Sequence, residues 1–379
     1  YRGHVFWDTD IYLLVFLAFI YPEALKKILR FRCRTLDSAM RYAKSTGYEG
    51  ARYPWEADDF GNETTPRYFP INLTECRCVD ILTGEQEIHI TGDVGFATSL
   101  YYEVTGDKEF LRECGLKMLI EIARFWASKV EYDESCNRYV VRGVIGPDEY
   151  HVNVDNNFYT NFLAKYNLEK AYRYSMEALK DPLLRDVIIQ SNVSIDEIER
   201  WREIAEKIYI GRNLEGVYEQ FEGFFDLRDP PEKDFAEIKR VNIIELGDIG
   251  KTKLIKQADV VLALILQELI EGVEKDIFKK NYEYYLRLTS HESSLSLPMY
   301  ATAAFISEDP RAIKLFRETI KTDLDNLFGN SHEGFHVATA GGIWYAILLG
   351  VLGVRVRNGE LIISPKNLND LRLSLTIYF

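Results

Sequence analysis

The feature that most restricts the fold of this chain is helical periodicity along most of its 379 residues. Apolar residues recur at i, i+3, i+4 and i+7 in successive segments, which predicts roughly ten to twelve helices. Long loops rich in His, Trp and Gly separate these segments. Short βαβ alternation is missing, which argues against a doubly wound sheet or a (β/α)8 barrel. Paired helices with polar loops predict an all-α fold, an (α/α)6 toroid over residues 1–353.

The end of the chain shows a different pattern. VRVRNGELIISP alternates apolar and polar residues around Asn358-Gly359, a pair typical of a type I′ hairpin. LRLSLTIYF alternates again, so residues 354–379 are predicted to be the first strands of a truncated C-terminal β-domain. The chain opens inside what reads as a packed motif, YRGHVFWDTD, and we expect either a longer parent protein or a truncated gene.

Charge and cysteine usage narrow the function classes. A net charge of −13 argues against a general basic surface for nucleic acid or anionic lipid. The longest apolar run, Ile11–Tyr21, is eleven residues and too short to span a bilayer. Five Cys form no CxxC pair and no metal-ligand spacing, so no metal site is predicted. Their odd number argues against a disulfide framework and favours a reducing, cytoplasmic location.

The stretch GPDEYHVNVDNN at 146–157 carries more titrating and hydrogen-bonding groups than a turn requires. Glu149 is its best candidate for proton transfer. A carboxylic acid that donates a proton near neutral pH needs partial burial or a nearby negative charge to raise its pKa. Asp148 and Asp155 can supply such a charge. The alternative, that Asp148-Glu149 is an ordinary turn acid, stays open.

Aromatic residues make up 13% of the chain and favour sugar binding, although core filling explains most of them. In two places a Trp precedes a carboxylate, which suits a sugar ring and its hydroxyls. The alternative is a core Trp beside an N-cap acid. Lys256-Gln257 begins an amphipathic segment and suits an oxyanion or sugar hydroxyl, unless Lys256 is only a solvated surface residue. The two Trp-carboxylate pairs are Trp7-Asp8 and Trp55-Glu56.

Two further segments can form an anion site. HEGFHVATAGGIW places four small residues before an apolar helix, where free backbone N–H groups can bind an anion beside His336. The pattern is not that of a nucleotide P-loop. Close packing at Gly-Gly is the alternative. SHESSLS, with Ser293 and Ser294, is a second candidate for the same anion. The small residues are Thr339, Ala340, Gly341 and Gly342.

These segments, in this order, resemble glycoside hydrolase family sixty-five, the inverting disaccharide phosphorylases acting on maltose, kojibiose, trehalose and nigerose. The resemblance covers nearly the whole chain and rests above all on the GPDEYH…VDNN…YTN block. It implies a catalytic (α/α)6 barrel that normally follows an N-terminal β-sandwich and precedes a small C-terminal β-domain. The β-sandwich is absent from these 379 residues. The resemblance also implies a homodimer. Its other motifs are RGHVFWDTD, GYEGARYPWEADDFGNETTP, EQEIHITGDVGFA, ARFWASKVEYDE, KQADVV, HESSLS and EGFHVATAGGIW.

The resemblance also implies roles for single residues. Glu149 matches the general acid that protonates the glycosidic oxygen. Trp7 and Asp8 match residues that hold the non-reducing glucose, and Lys256 and Gln257 match paired sugar-binding positions. We further predict that substrate contacts Trp55, Glu56, His151 and Asn156, and that phosphate contacts His336, the Thr339–Gly342 backbone and, less directly supported, Ser293 and Ser294.

The implied reaction is phosphorolysis of an α-glucosidic disaccharide with inversion, giving β-glucose 1-phosphate and a free sugar. Phosphate is the co-substrate and no other cofactor is expected. One alternative is an inverting hydrolase of the trehalase or glucoamylase kind, in which a carboxylate such as Glu333 activates water. Another is a truncated, inactive carbohydrate-binding protein. The loop at 56–90 is where we expect acceptor selectivity to be set.

Overall fold

A computed structural model describes residues 3–72, 77–230, 249–357, 359–366 and 374–379. The described chain is rich in helices and has few, short strands, as the periodicity predicts. The helices are α1 Trp7–Ile11, α2 Leu14–Ile20, α3 Pro22–Arg34, α4 Leu36–Ser45, α5 Thr83–Gln86, α6 His89–Thr105, α7 Lys108–Phe110, α8 Leu116–Lys129, α9 Phe158–Ala178, α10 Arg185–Gln190, α11 Ile195–Lys207, α12 Val260–Ile270, α13 Lys275–Leu286, α14 Ser296–Ile306, α15 Ala312–Leu324 and α16 Val337–Tyr345. π-Helical turns at Leu111–Gly115 and Ala346–Val351 adjoin α8 and α16, and 3₁₀ turns lie at Phe224–Asp226, Ile249–Lys251 and Ser331–Glu333.

The strands that the structure describes form antiparallel pairs of two. No strand in this part of the chain joins a larger sheet, so helix packing supplies the core. The pairs are β1 Val5–Phe6 with β2 Glu56–Ala57, β3 Tyr68–Asn72 with β4 Arg77–Asp80, β5 Glu131–Asp133 with β6 Arg138–Val140, β7 Asn213–Leu214 with β8 Val217–Tyr218, and β9 Arg355–Arg357 with β10 Glu360–Ile362.

Six helices contact one another in a closed order. Helix α2 packs on α6, α6 on α9, α9 on α12, α12 on α14, α14 on α16, and α16 returns to α2. Helices α6, α9, α12 and α14 bury residues on all sides, which is expected where a helix has neighbours all round. None of the described helices is long and apolar enough to cross a membrane.

A second set of helices covers this ring from outside. Helix α3 contacts α2 and α6, α8 contacts α6 and α9, α11 contacts α8 and α9, α13 contacts α12 and α14, and α15 contacts α14 and α16. These helices are amphipathic, because only one face meets the inner ring. Helix α11, for example, buries Ile198, Trp201, Ile204 and Ala205 and exposes its charged face. Along the chain, inner and outer helices alternate.

The tail agrees with its prediction only in part. Strands β9 and β10 form a hairpin across Gly359, which has a φ of 74° in the left-handed region that glycine tolerates. Its neighbour Asn358 lies outside the described residues. The predicted strand LRLSLTIYF is wrong for residues 374–379, which are irregular, and 371–373 are not described. The N–H of Tyr378 instead donates to Phe19 O at 2.8 Å, which places this segment against α2.

The odd cysteine count argued against a disulfide framework, but the described chain contains a disulfide. Cys33 in α3 and Cys114 in the π-helical turn before α8 form a disulfide, with Cα atoms 5.9 Å apart. An odd total requires only that one cysteine stays unpaired, and helix packing brings these two together across 81 positions of sequence. The inference of a reducing compartment loses its support from cysteine usage.

Replacing Cys33 by Ser should lower the free energy of unfolding by about 2–4 kcal/mol, because the cross-link closes a long loop in the unfolded chain. Urea unfolding with and without a thiol reductant measures this difference. The matched control is Cys136→Ser, which removes an exposed, free thiol. Equal sensitivity of wild type and Cys33→Ser to the reductant would show that the bond does not stabilise the protein.

Candidate active site

Most of the predicted site residues, together with residues 87–89, lie near the starts of the inner helices, whereas Trp55 and Glu56 lie at strand β2. Because inner and outer helices alternate along the chain, each inner helix begins at the same end of the ring. Hydrogen bonds and ring contacts between successive starts confirm that these segments are neighbours. The segments are 7–8 before α2, 87–89 at α6, 148–156 before α9, 256–257 before α12, 293–294 before α14 and 336–339 at α16.

Asp148 holds this arrangement together. It is 1% exposed, and its two carboxylate oxygens accept from three separate parts of the chain. Its Oδ1 accepts from the Lys256 backbone N–H at 2.8 Å, and its Oδ2 accepts from Gln220 Nε2 at 2.9 Å and lies 2.6 Å from His151 Nδ1. Burial alone would lower the pKa of His151, but Asp148 raises it. Asp148 therefore holds in position the loop that carries Glu149.

Glu149 itself is accessible. Its side chain is 29% exposed, and its Oε2 accepts from Lys256 Nζ at 2.9 Å. Burial alone would lower the pKa of Lys256, but Glu149, and with it Glu87 and Asp148, raises it, so the ammonium keeps its charge at neutral pH. A reachable carboxyl group on a rigid loop is geometrically suited to proton transfer, although the group that it hydrogen-bonds is the Lys256 cation and not the negative charge that the sequence predicts.

A buried polar network next to this pair was missing from the sequence prediction. Glu87 Oε2 accepts from the Trp55 indole N–H at 2.5 Å and lies 3.3 Å from His89 Nε2. His89 Nδ1 lies 2.8 Å from Asp93, which also accepts from Tyr159 at 2.6 Å. Burial raises the pKa of Glu87 to about 8, with a further contribution from the charge of Glu149. The motif EQEIHITGD contains three of these residues and was the available signal.

The two Trp-carboxylate pairs are both held in place, in different ways. Trp7 packs edge-on against His89, with ring centroids 4.9 Å apart, and the helix begins at Trp7, so Asp8 is not its N-cap. The N-cap part of the alternative interpretation is therefore wrong, whereas its core-Trp part is confirmed, because Trp7 is only 2% exposed. Glu56 lies in β2, where its Oε1 is 2.6 Å from His4 Nδ1. Trp55 is anchored through its indole N–H, which orients the ring.

His151 and Asn156 contact the protein rather than open space. His151 Nε2 lies 2.8 Å from Thr252 O, its other nitrogen faces Asp148, and the residue is 3% exposed. Asn156 accepts from the Val141 N–H and donates to Glu222. The polar atoms of these two residues brace the loop, so the geometry gives no support to a direct substrate contact, which stays a prediction. Gln257 donates to Pro147 O at 2.6 Å, while its Oε1 has no hydrogen-bond partner among the described residues.

The small residues do not precede the last inner helix as predicted. Helix α16 begins at Val337, and the Ala340 N–H donates to His336 O at 3.2 Å, so Ala340, Gly341 and Gly342 lie inside the helix. A Cβ at Gly341 would stand 2.4 Å from Tyr12 O, and one at Gly342 would stand 2.5 Å from Pro298 Cβ. Close helix packing, the alternative interpretation, accounts for the glycines. Their N–H groups are used within the helix.

The start of α16 still faces the Glu149 loop through residues 290–294. The Thr339 hydroxyl donates to Ser294 O at 2.9 Å, and the Tyr150 hydroxyl donates to Glu292 at 2.6 Å. Ser293 and Ser294 are half-buried and lie between these two links.

His336 is oriented by a carboxylate. Its backbone N–H donates to Asp323 Oδ2 at 2.9 Å, and its ring Nδ1 lies 2.5 Å from Asp323 Oδ1. Although burial opposes the shift, these hydrogen bonds lower the pKa of Asp323, which remains ionised.

Glu333, the candidate base of a hydrolase, is exposed in a 3₁₀ turn. No group of three or more His, Cys, Asp or Glu side chains arranged for a metal occurs in the described ranges.

Comparison with protein families places these residues in a known group. The family model described as the glycosyl hydrolase family 65 central catalytic domain matches residues 1–345. This match includes every segment of the candidate site.

Named relatives give the same result. The chain is 41% identical to a kojibiose phosphorylase of Caldanaerobacter subterraneus subsp. tengcongensis over 96% of its own length and 48% of that protein. It is 33% identical to the maltose phosphorylase of Bacillus subtilis over 96% of the chain and 46% of that protein. A solved structure assigned as a kojibiose phosphorylase from the human microbiome superposes with a TM-score of 0.82 at 28% identity, over 96% of this chain and 52% of the other. The chain thus spans about half the length of these relatives.

Proposed function

This chain belongs to glycosyl hydrolase family 65, and we propose that the protein containing it cleaves an α-linked glucose disaccharide by inverting phosphorolysis. The observation that carries the proposal is the placement of Glu149. It is an accessible carboxyl group, and its loop is joined through Tyr150 and residues 290–294 to the His336 segment. Such an arrangement places a proton donor and an anion site next to each other, at the end of the ring where the inner helices begin.

The domain organisation follows from the same ring. We assign residues 1–353 to an (α/α)6 toroid, supported by the closed order of inner helices and the outer helices that cover them. We propose that the β-region begins at residue 354 with the β9–β10 hairpin, in which Val356 packs into the helical core and Arg355 pairs with Glu268 of α12 at 2.8 Å. A homodimer and a cytoplasmic location remain predictions.

In the proposed reaction, Glu149 gives its proton to the glycosidic oxygen as the bond from C1 to that oxygen breaks. An oxygen of inorganic phosphate attacks C1 from the opposite face, and the new C–O–P linkage has the β configuration. One carboxylic acid is sufficient, because phosphate replaces both the water and the base of an inverting hydrolase. Glu149 then regains a proton from solvent. No other cofactor takes part.

The glucose to be transferred would lie against Trp7 and Asp8, with Lys256 and Gln257 on its hydroxyls. Gln257 Oε1 is well suited to accept one of them, because no described residue uses it. Trp55 and Glu56, fixed by Glu87 and His4, would bound the acceptor side. The 56–90 region includes the β3–β4 hairpin, with Tyr68 and Phe69 exposed, and we propose that it selects the acceptor sugar. Residues 73–76 of that region are not described.

We place the phosphate at His336, the Thr339 end of α16 and the Ser293-Ser294 segment. The N-terminal end of a helix carries partial positive charge and unpaired N–H groups, which favours an anion. His336, oriented by Asp323, adds a directed N–H donor. The backbone of Ala340, Gly341 and Gly342 is dropped from this assignment because the helix uses it.

The experiment that tests the function uses the full-length protein with maltose, kojibiose, nigerose and trehalose, each with and without phosphate. Glucose 1-phosphate that forms only when phosphate is present supports phosphorolysis. Free glucose released without phosphate would identify a hydrolase, and no turnover under either condition would identify a binding protein. The anomeric configuration of the sugar phosphate, read by proton NMR, tests inversion.

His336→Ala should raise the KM for phosphate by about 10-fold or more and change the KM for disaccharide much less. The reason is the loss of a hydrogen bond to a charged ligand, typically ~1.5–3 kcal/mol. Steady-state kinetics with each substrate varied in turn measures the two constants. The matched control is His332→Ala, since His332 is exposed only four residues away. Equal changes in both constants would place His336 outside the phosphate site.

A further inference from the structure

A second cleft lies beside the candidate active site and shares a wall with it. Its volume is about 750 Å³, which is within the usual range for a small-molecule site. One wall is the polar face of α4, with Ser38, Arg41, Tyr42 and Ser45. The other wall is formed by residues 62–67 and by Gly84 and Glu85 in α5. None of its lining residues is one of the predicted substrate or phosphate contacts named above, although residues 62–67, Gly84 and Glu85 belong to the 56–90 region that we propose selects the acceptor sugar.

The floor of the cleft is formed by Arg52 and Tyr42, which hydrogen bonds hold in place. Arg52 is 4% exposed, and its NH2 group donates to Gly84 O at 3.1 Å and to Glu85 O at 2.6 Å. Its guanidinium lies 4.5 Å from the centre of the Tyr42 ring, and the Tyr42 hydroxyl donates to Gly84 O at 2.8 Å. All three hydrogen bonds cross from the α4 side to the α5 side, so the two walls are held at a fixed separation. A preformed floor lowers the conformational cost of binding.

The charges at the rim favour an anion. Arg41, Arg52 and Arg67 line the cleft against Glu63 and Glu85, in a protein whose net charge is −13. Both oxygens of Glu63 are used: Oε2 accepts from the Trp55 backbone N–H at 2.8 Å, and Oε1 accepts from the Thr65 backbone N–H at 2.7 Å. In the described part of the chain, neither the Arg41 nor the Arg67 guanidinium has a hydrogen-bond or ion-pair partner. Each of these exposed guanidinium groups can donate a pair of hydrogen bonds to the oxygens of a phosphate group.

The remaining groups suit a sugar. Ser45 and Thr46 lie at the end of α4, where their hydroxyls donate to Tyr42 O at 2.8 Å and to Ala43 O at 3.0 Å, so each hydroxyl oxygen can accept from a ligand hydroxyl. The Tyr42 ring offers an aromatic surface, with Arg52 held against it. A cleft with two phosphate-binding guanidiniums, hydroxyl side chains and an aromatic surface combines the features that a hydroxylated phosphate ester requires.

We propose that this cleft, bounded by Arg41, Arg67 and the Tyr42–Arg52 floor, is a second binding site for a sugar phosphate, separate from the active site. Its ligand is a phosphate monoester of a monosaccharide, with the phosphate between Arg41 and Arg67 and the ring over Tyr42.

Occupancy of the cleft should reach the active site through Glu63 and α5. Glu63 lines the cleft and also accepts from the Trp55 N–H, and α5 leads directly into Glu87, which holds the Trp55 indole. A ligand that pulls Arg67 or Glu63 into the cleft should therefore move Trp55, on the acceptor side of the active site, more than it moves the residues of the phosphate site. This coupling rests on the proposed function, whereas the binding itself does not.

Isothermal titration of the full-length protein with glucose 6-phosphate tests the binding. One molecule per chain should bind wild type. The double variant Arg41→Glu/Arg67→Glu should weaken binding by more than about tenfold, because two charge-assisted contacts become repulsive. The matched control is Lys27→Glu/Lys44→Glu, which makes the same change of charge at exposed residues outside the cleft, one of them on α4. His336→Ala should bind as wild type does.

Three results would overturn the proposal. Binding lost in His336→Ala but kept in Arg41→Glu/Arg67→Glu would mean that glucose 6-phosphate enters the active site. If inorganic phosphate binds as tightly as glucose 6-phosphate, the cleft does not recognise the sugar, and the proposed ligand is wrong. No heat at millimolar ligand would exclude the site. The coupling is measured separately, as a changed KM for disaccharide in the presence of glucose 6-phosphate, and the absence of turnover in any assay would count against the proposed function alone.

Discussion

Glu149→Gln is expected to lower kcat for phosphorolysis by about 10²–10⁴-fold while leaving the affinity for disaccharide close to that of wild type. General acid catalysis typically contributes a factor of this size. The amide keeps the shape of the side chain and can still meet Lys256 Nζ, which now stands 2.9 Å from Glu149 Oε2. It has no proton to give to the glycosidic oxygen. Initial rates with excess phosphate, together with calorimetric binding of the disaccharide, measure the two quantities.

A substrate with a good leaving group sharpens this test. In glucosyl fluoride the C1–F bond breaks and fluoride leaves as an anion without needing a proton, so Glu149→Gln should retain much more of its activity on that substrate than on a disaccharide. Glu333→Gln is the matched control, because Glu333 is an exposed carboxylate beside the proposed phosphate site. Near-normal turnover of disaccharide by Glu149→Gln would remove Glu149 from the role. If Glu333→Gln loses most of the glucose-releasing activity that the protein shows without phosphate, the result would favour the hydrolase.

Asp148→Ala is expected to lower the free energy of unfolding by about 3–5 kcal/mol, the usual cost of removing one partner of a buried ion pair. The change leaves three buried donors without an acceptor: His151 Nδ1, Gln220 Nε2 and the Lys256 N–H. Activity should fall as well, because the loop that carries Glu149 loses its anchor. Urea unfolding followed by circular dichroism measures the stability, and kcat is measured well below the unfolding midpoint.

Two comparisons separate this effect from general destabilisation. Asp59→Ala removes an exposed acid and should change the stability by less than about 0.5 kcal/mol. Gln220→Ala removes one of the three partners of Asp148 and should cost less than Asp148→Ala. If Asp148→Ala unfolds at the same urea concentration as Asp59→Ala, the carboxylate does not hold the site together.

Much of the fold was predictable because local chemistry sets helix limits. Ser194 caps α11 by accepting from the Glu197 N–H, as its sequence position indicates. Gly106 ends α6 with a φ of 63°, which glycine adopts at little cost. The helical period also predicted the pairing of helices, since an apolar stripe must be covered by a neighbour. The segments rich in His, Trp and Gly were expected in loops between helices, which holds for residues 146–157 but not for Trp7 in α1, His89 in α6 or Gly341 and Gly342 in α16.

The site was predictable as a set of segments but not as a set of contacts. His151 and Glu149 lie two residues apart in one motif, yet one is buried against Asp148 and Thr252 while the other reaches solvent. Glu87 was overlooked because its partner Trp55 is 32 positions away. Gly341 and Gly342 suggest an anion site in sequence, but the backbone of Tyr12 between α1 and α2 and the ring of Pro298 in α14 require their small size.

The sequence by itself determined the helical class, most helix limits, the family and the residues that can carry chemistry. These properties depend on periodicity, capping and residue type, which act within a few positions of the chain. Only the tertiary structure decided which of those residues face a ligand and which brace the loop. It also decided that Cys33 meets Cys114 and that Arg41 and Arg67 line one cleft. The reason is physical: burial and charge pairing arise between side chains that are distant in sequence, once the ring of helices has closed.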